Sequence, residues 1–282
     1  MENYRATIVR IQKTVPATLY HYCPTGKLRY LLEPGADLNL RYLSYQGDRT
    51  EYRFGARLLC DYIRGKGSRY RPVGDVIEGR LVDNIGCVGQ KTLASTIPLT
   101  FSLTERCDSA YHYEEYCQGN GGAIAFNQAL LEQACDAVKT ERALRLIRCY
   151  YEGLNKTEID AICDAFWLDQ FENVERLVDS CYQDEEAGRR VLVAICMIAP
   201  HFKRRKFSND NEWRIVMVAS GLEGIDDDGF RASGVRDCTL HGDLVDLMTG
   251  VVVPRSETQI NVMKELSRFA LQQRNRDFKI WV

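Results

Sequence analysis

HFKRRKFSNDNEWRIVMV, residues 201 to 218, opens with the cations Lys203, Arg204, Arg205 and Lys206, passes a polar turn and closes in the apolar run Ile215 to Val218. That is the pattern of a charged loop feeding a buried strand. Alternation along the strand sets Glu212 and Arg214 on one face and Trp213 and Ile215 on the other, so an acid and a base stand together where it begins. One reading is a surface ion pair at a sheet edge beside a solvated basic loop. The other is an anionic-ligand site, in which cations hold phosphates and one carboxylate does chemistry.

Working outward, the acidic loop Ser220 to Gly229 lacks the regular oxygen spacing of a calcium site. Val235 to Val245 is in part strand, Gly250 to Val253 a short strand, and Asp277 to Val282 a closing strand. Between the last two, Ser256 to Gln273 has the pattern of an amphipathic helix with Ile260, Met263, Leu266 and Ala270 on its buried side.

Upstream, Thr18 to Tyr22 alternates, with Leu19 and His21 on one face and Tyr20 and Tyr22 on the other. The first ten residues carry no strong signal. A strand is expected near Leu38 to Tyr42, and a helix over Tyr52 to Ile63 capped by Asp48 or Thr50. Gly65 to Asp75 reads as a mobile surface loop without the spacing or the lysine of a phosphate-binding loop. Thr96 to Thr104 alternates as a strand with Phe101 and Leu103 opposite Ser102 and Thr104. Tyr111 to Tyr116 has helical spacing, a glycine turn follows, and Ala123 to Phe126 returns as a strand. Residues 128 to 190 are helix-permissive almost throughout, with Leu144 and Ile147 on the apolar stripe. The expected fold is a single α+β domain over residues 1 to 282, with a helical segment at about 128 to 190 and helices outside a mixed or mostly antiparallel sheet.

Composition narrows the function classes. A formal charge of -2 argues against wholesale nonspecific binding of nucleic acid. Eleven scattered cysteines without a CxxC pair fit reduced thiols in a cytoplasmic protein better than a disulfide framework. The longest apolar stretch, Val191 to Pro200, is about half of what spans a bilayer, so a membrane is not an expected partner.

Several of these segments, in their order, form a set. Leu19 to Tyr22 (LYHY), Asp48 to Glu51, Phe101 to Thr104 (FSLT), Tyr111 to Phe126 with Gly121 and Gly122, Phe202 to Ile215, and Val251 to Arg255 together resemble the bacterial proteins grouped as the DUF2971 family. The likeness spans nearly the whole chain, the long helical segment being its least characteristic part. Gly47, Asp48 and Arg49 stand where many relatives have Asn-Asp-Pro, and Tyr111 or His112 where they favour tryptophan. The family name carries no function.

A second resemblance, to the ADP-ribosyltransferase superfamily, implies a mechanism and an ADP-ribosyltransferase-like form of the fold. Its order of a histidine on an early strand, a serine strand and a glutamate opening a later strand is matched by His21, Ser102 and Glu212. The resemblance implies NAD as substrate, with His21 on the nicotinamide-side ribose, Ser102 bracing the pocket and Glu212 stabilising charge at C1′. Tyr113 or Tyr116 would meet the nicotinamide ring, Arg49, Lys203 or Arg214 the pyrophosphate, and Tyr22 would be a further NAD-binding residue. The acceptor, a protein or a nucleic acid, stays open, as does the oligomeric state, and a role in bacterial or phage defence is the expected setting. Two rivals stand beside it. One is a metal-dependent nuclease using Asp48, Glu51, Glu212 and Lys203; the other is a noncatalytic sensor of a nucleotide or protein.

Overall fold

The computed structural model describes residues 1–12, 15–33, 35–36, 38–42, 51–83, 97–117, 120–137, 144–219, 235–238, 244–253 and 278–281. Arg49, both proposed caps of the 52–63 helix, the acidic loop after residue 219 and the expected helix at 256–273 lie outside them.

The strand that opens at Glu212 is interior to the sheet, not at its edge. This strand, β8 (Glu212–Ala219), pairs antiparallel along one side with β3 (Ile97–Thr104) and along the other with β5 (Leu144–Arg148). The far edge of β3 is shared: β1 (Thr18–Pro24) meets it at Thr104, and β2 (Leu38–Tyr42) meets it at Thr100 and Leu99. From β1 the sheet continues through β4 (Gly121–Asn127) and β10 (Met248–Val252) to β11 (Lys279–Trp281), and from β2 to β9 (Val235–Cys238). Among the described residues every pairing in this sheet is antiparallel except β10 with β11. A separate two-stranded parallel piece joins β6 (Tyr150–Tyr151) to β7 (Phe202–Lys203). The protein is thus an α+β fold with a mostly antiparallel sheet flanked by helices.

Alternation explains the two cores. Trp213 and Ile215 of β8 join Phe101, Leu103 and Leu19 in an apolar layer. It is closed by Leu28, Leu31 and Leu32 of α2 (Thr25–Leu32) and by Leu131 and Cys135 of α6 (Gln128–Ala137). A second core is built mainly by helices, α1 (Glu2–Ile11), α3 (Glu51–Gly65), α4 (Arg71–Asp83), α7 (Lys156–Asp179) and α8 (Glu185–Ile198), joined by Tyr150 of β6 and Phe202 of β7. Helix α8 starts where the Asp184 carboxylate accepts the Ala187 N–H at 2.9 Å, satisfying one of the orphan donors of a first turn. Its apolar positions Val191, Ala194, Ile195 and Ile198 then recur at helical spacing and are buried.

Three expectations give way. The segment read as helical throughout contains β5, because the Leu144–Arg148 backbone finds its partners on β8; tertiary pairing overrides an ambiguous apolar spacing. The expected loop at 65–75 holds a 3-10 turn, Ser68–Tyr70, and the start of α4. The featureless amino terminus is a helix, its backbone tied down where Asp169 of α7 accepts the Asn3 and Tyr4 N–H groups at 3.1 and 2.9 Å.

One glycine sets the distance between layers. A Cβ on Gly55 would stand 2.2 Å from the Ala199 carbonyl oxygen, so only glycine lets α3 lie this close to the turn at Ala199–His201. The amino-terminal end of α3, and with it Glu51, is thereby brought over the charged face of β8.

Candidate active site

Where α3 meets that face, five charged side chains are packed together: Glu51, Lys203, Asp210, Glu212 and Arg214, none more than 6 % exposed. They come from separate elements. Glu51 opens α3, Lys203 ends β7, and Asp210 closes the 3-10 turn Arg205–Asp210. Asn211 then turns in the left-handed region at φ 40°, tolerated by asparagine better than by most residues, and Glu212 begins β8.

Glu212 is clamped. Its carboxylate accepts Arg214 Nε at 2.6 Å and Arg214 Nη2 at 3.0 Å, and also the Lys203 ammonium. The Glu212 backbone N–H donates to the Tyr151 hydroxyl at 2.8 Å. Burial alone would raise the pKa of this carboxyl, but the charges of Arg214 and Lys203 outweigh it and hold the group ionised, well below the usual carboxylate range. Arg214 also donates to Glu51 and, through Nη1, to the Pro200 carbonyl at 3.0 Å. Lys203 donates to Asp210 at 2.7 Å and stands 3.7 Å from Glu51. Although desolvation pulls against its charge, Glu212, Glu51 and Asp210 hold the ammonium well above the ordinary lysine range. With formal charges, three carboxylates against two cations leave the cluster at -1.

The cluster forms the floor of a cavity of about 420 Å³, within the range of small-molecule sites. Register puts Thr104 opposite Glu212 and Ser102 opposite Arg214, so both hydroxyl side chains share the charged face. Tyr20, Tyr22, Tyr111, His112, Tyr116 and Phe207 supply aromatic wall. Asp210 braces part of that wall, its Oδ1 accepting the Tyr111 and Tyr116 hydroxyls at 3.0 and 3.4 Å. His112 Nε2 donates to the Asp210 carbonyl at 3.3 Å, so its Nδ1 accepts from the Ser109 hydroxyl at 2.7 Å; burial lowers its basicity. A larger groove, about 530 Å³, runs between α1 and α7, but its side chains are mostly exposed and hold no buried charge.

His21, Ser102, Glu212, Tyr22, Tyr116, Lys203 and Arg214, all chosen from the sequence, border this one cavity. Two details differ from what was expected of them. The His21 ring stacks on Phe101 at 4.1 Å, on the apolar side of β3, and its Nδ1 donates to the Ser102 carbonyl at 2.8 Å. It still borders the cavity. Lys203 is spent on carboxylates instead of standing in a solvated basic loop.

Tyr113 lies outside the lining. It packs edge-on against Tyr22 at 4.9 Å, in a small core with Cys117, Ala123 and Val252. Asp210, Tyr20, Thr104 and His112 went unrecognised in the sequence. Signals were there for three of them: Tyr20 shares a strand face with Tyr22, Thr104 shares one with Ser102, and Asp210 stands two residues before Glu212.

Glu51 and Glu212 of the nuclease reading do converge, but on the Lys203 ammonium. Among the described residues no group of three or more His, Cys, Asp or Glu side chains is arranged to hold a metal ion. No helix among them is long and apolar enough to cross a membrane. No family model matches the chain, and no match was found among curated proteins or solved structures.

Proposed function

We propose that this cavity binds NAD and cleaves its N-glycosidic bond, either by hydrolysis or by ADP-ribosyl transfer. The observation that carries the reading is the buried, ionised Glu212 on the floor of an aromatic-walled cavity, in a cluster with one excess negative charge. The bond from C1′ to the ring nitrogen breaks with its electron pair passing to nicotinamide, which leaves as a neutral ring. Positive charge develops on C1′ and the ribose oxygen, and fixed negative charge beside it lowers the energy of that state. Water, or a nucleophile of a protein or nucleic acid, then bonds to C1′ and loses its proton to solvent.

In this reading Arg214 holds the Glu212 carboxylate in place and Ser102 lines the floor beside it. His21 acts by bracing the Ser102 strand, and Tyr22 and Tyr116 offer ring faces. Lys206, whose ammonium lies 4.6 Å from the Phe207 ring at the cavity, is placed to meet the pyrophosphate. Membership of DUF2971, an ADP-ribosyltransferase-like form of the fold and a part in bacterial defence belong to the same proposal. So does a cytoplasmic setting, which nine free thiols among the described residues support.

Incubating the protein with NAD and candidate acceptors, with and without a divalent-metal chelator, tests this. Nicotinamide release should be indifferent to the chelator and fall about 100-fold or more in a folded Glu212→Gln variant. Metal-dependent cleavage of DNA or RNA would transfer the site to the nuclease reading. Saturable nucleotide binding without turnover would make it a sensor.

A further inference from the structure

His201 is fully buried and belongs to neither the cavity lining nor the charged cluster, yet it sits between residues that build both. The residue before it, Pro200, accepts Arg214 Nη1 on its carbonyl, and two residues after it comes Lys203. Its ring makes two bonds. Nδ1 lies 2.7 Å from the Arg148 carbonyl, where β5 passes to β6, and Nε2 lies 2.5 Å from the Tyr4 hydroxyl of α1. A carbonyl can only accept, so Nδ1 carries the proton and Nε2 accepts from Tyr4. Tyr4 closes edge-on over the ring at 5.8 Å, and Tyr150 stacks on it at 6.0 Å. The imidazole therefore links its own segment, which carries Pro200 and Lys203, to the β5–β6 junction through the Arg148 carbonyl and to α1 through the Tyr4 hydroxyl. The same junction reaches the site from its other side, for Cys149 N–H donates to the Glu212 carbonyl at 2.9 Å and Glu152 N–H to the Lys203 carbonyl at 2.9 Å.

We infer that Tyr4 and His201 are positioning residues for this site: the amino-terminal helix, through the Tyr4 hydroxyl and the neutral imidazole, fixes the Pro200 carbonyl and the Lys203 strand, and with them the Arg214 guanidinium on Glu212. The inference rests on the cavity being the functional site, whichever ligand it takes. Buried on all sides, a bifunctional ring with one donor and one acceptor holds a backbone segment in a single place. An apolar side chain of the same size would fill the volume without choosing among nearby positions. Removing the Tyr4 hydroxyl leaves Nε2 without its acceptor bond and frees the segment that orients Arg214.

Nitrogen NMR on the full chain tests this without any ligand. His201 should show the tautomer protonated at Nδ1. Hydrogen exchange of Arg214 Nε–H should quicken about tenfold in Tyr4→Phe, the order expected from one buried acceptor left unsatisfied. It should stay unchanged in Val174→Ala, which opens a cavity in the same helical core without touching this chain of bonds. A ring protonated at Nε2 would overturn the inference. So would unchanged Arg214 exchange in Tyr4→Phe, or an equal rise in Val174→Ala. Should Tyr4→Phe fail to fold, the His201 tautomer in the unaltered protein decides. A protein that never turns over NAD, yet shows the Arg214 effect, would lose the proposed activity and keep this positioning role.

Discussion

The two faces of β8 are buried to nearly the same degree by opposite means. Trp213 and Ile215 are 1 % and 0 % exposed among leucines and phenylalanines, while Glu212 and Arg214 are 5 % and 1 % exposed among ions. On the apolar side each methylene removed from water contributes about 0.8 kcal/mol without needing an exact partner, although the Trp213 indole N–H also donates to the Glu105 carboxylate at 2.8 Å. On the charged side, desolvation costs several kcal/mol per ion, recovered only while every partner is in place. Such a face is poor value for stability alone. The contrast teaches that burial by itself does not distinguish scaffold from site; the tolerance of the face to a missing partner does.

That contrast can be broken in three ways. The largest effect is expected from Arg214→Met, which strands Glu51 and Glu212 with Lys203 as the remaining cation. Urea unfolding should show a loss of about 3–5 kcal/mol, and a loss under about 1 kcal/mol would mean that the charged face repacks as freely as the apolar one.

Acid should probe the next. Burial lowers the His201 basicity from 6.5 to about 4. Because the unfolded chain takes up that proton first, the contribution is whole above pH 6.5 and is lost as pH falls to about 4, amounting to about 3 kcal/mol. His112, also depressed by burial, adds a slope of the same sign. The Glu212 contribution is present above its unfolded value near 4.5 and drains away only as pH falls below that, toward its depressed folded value. Stability measured from pH 7 to pH 4 should therefore decline, and His201→Gln should flatten most of that decline. An unchanged slope in the variant would show that His201 is not held neutral.

The smallest effect belongs to the apolar face. Ile215→Val should cost about 0.5–1.5 kcal/mol, the same at pH 7 and at pH 5, since no charge is involved. A pH-dependent cost, seen in the same unfolding series, would mean that the two faces are coupled through the strand.

Much of the scaffold was legible. Alternation in EWRI and TFSLT assigned both strands and the correct side for each residue, because a period of two is a property of the extended backbone itself. Helical spacing placed α3 and α5 (Ala110–Cys117) for the equivalent reason. The strand β5 was hidden, since Leu144 and Ile147, three apart, suit a helix until a neighbour offers a ladder.

The candidate site divides along the same line. That Glu212 and Arg214 share a face, and that His21 does not lie on the face of Tyr20 and Tyr22, follow from the chain alone. Local sterics dictate both, whatever the rest of the molecule does. That β8 is interior, that Glu51 arrives from α3 past Gly55, that Asp210 ties Lys203 to two tyrosines, and that α1 reaches His201 required the folded molecule. Each joins residues far apart in the chain, or side chains whose direction a turn sets, and no local periodicity encodes which distant element will supply the partner for a buried charge.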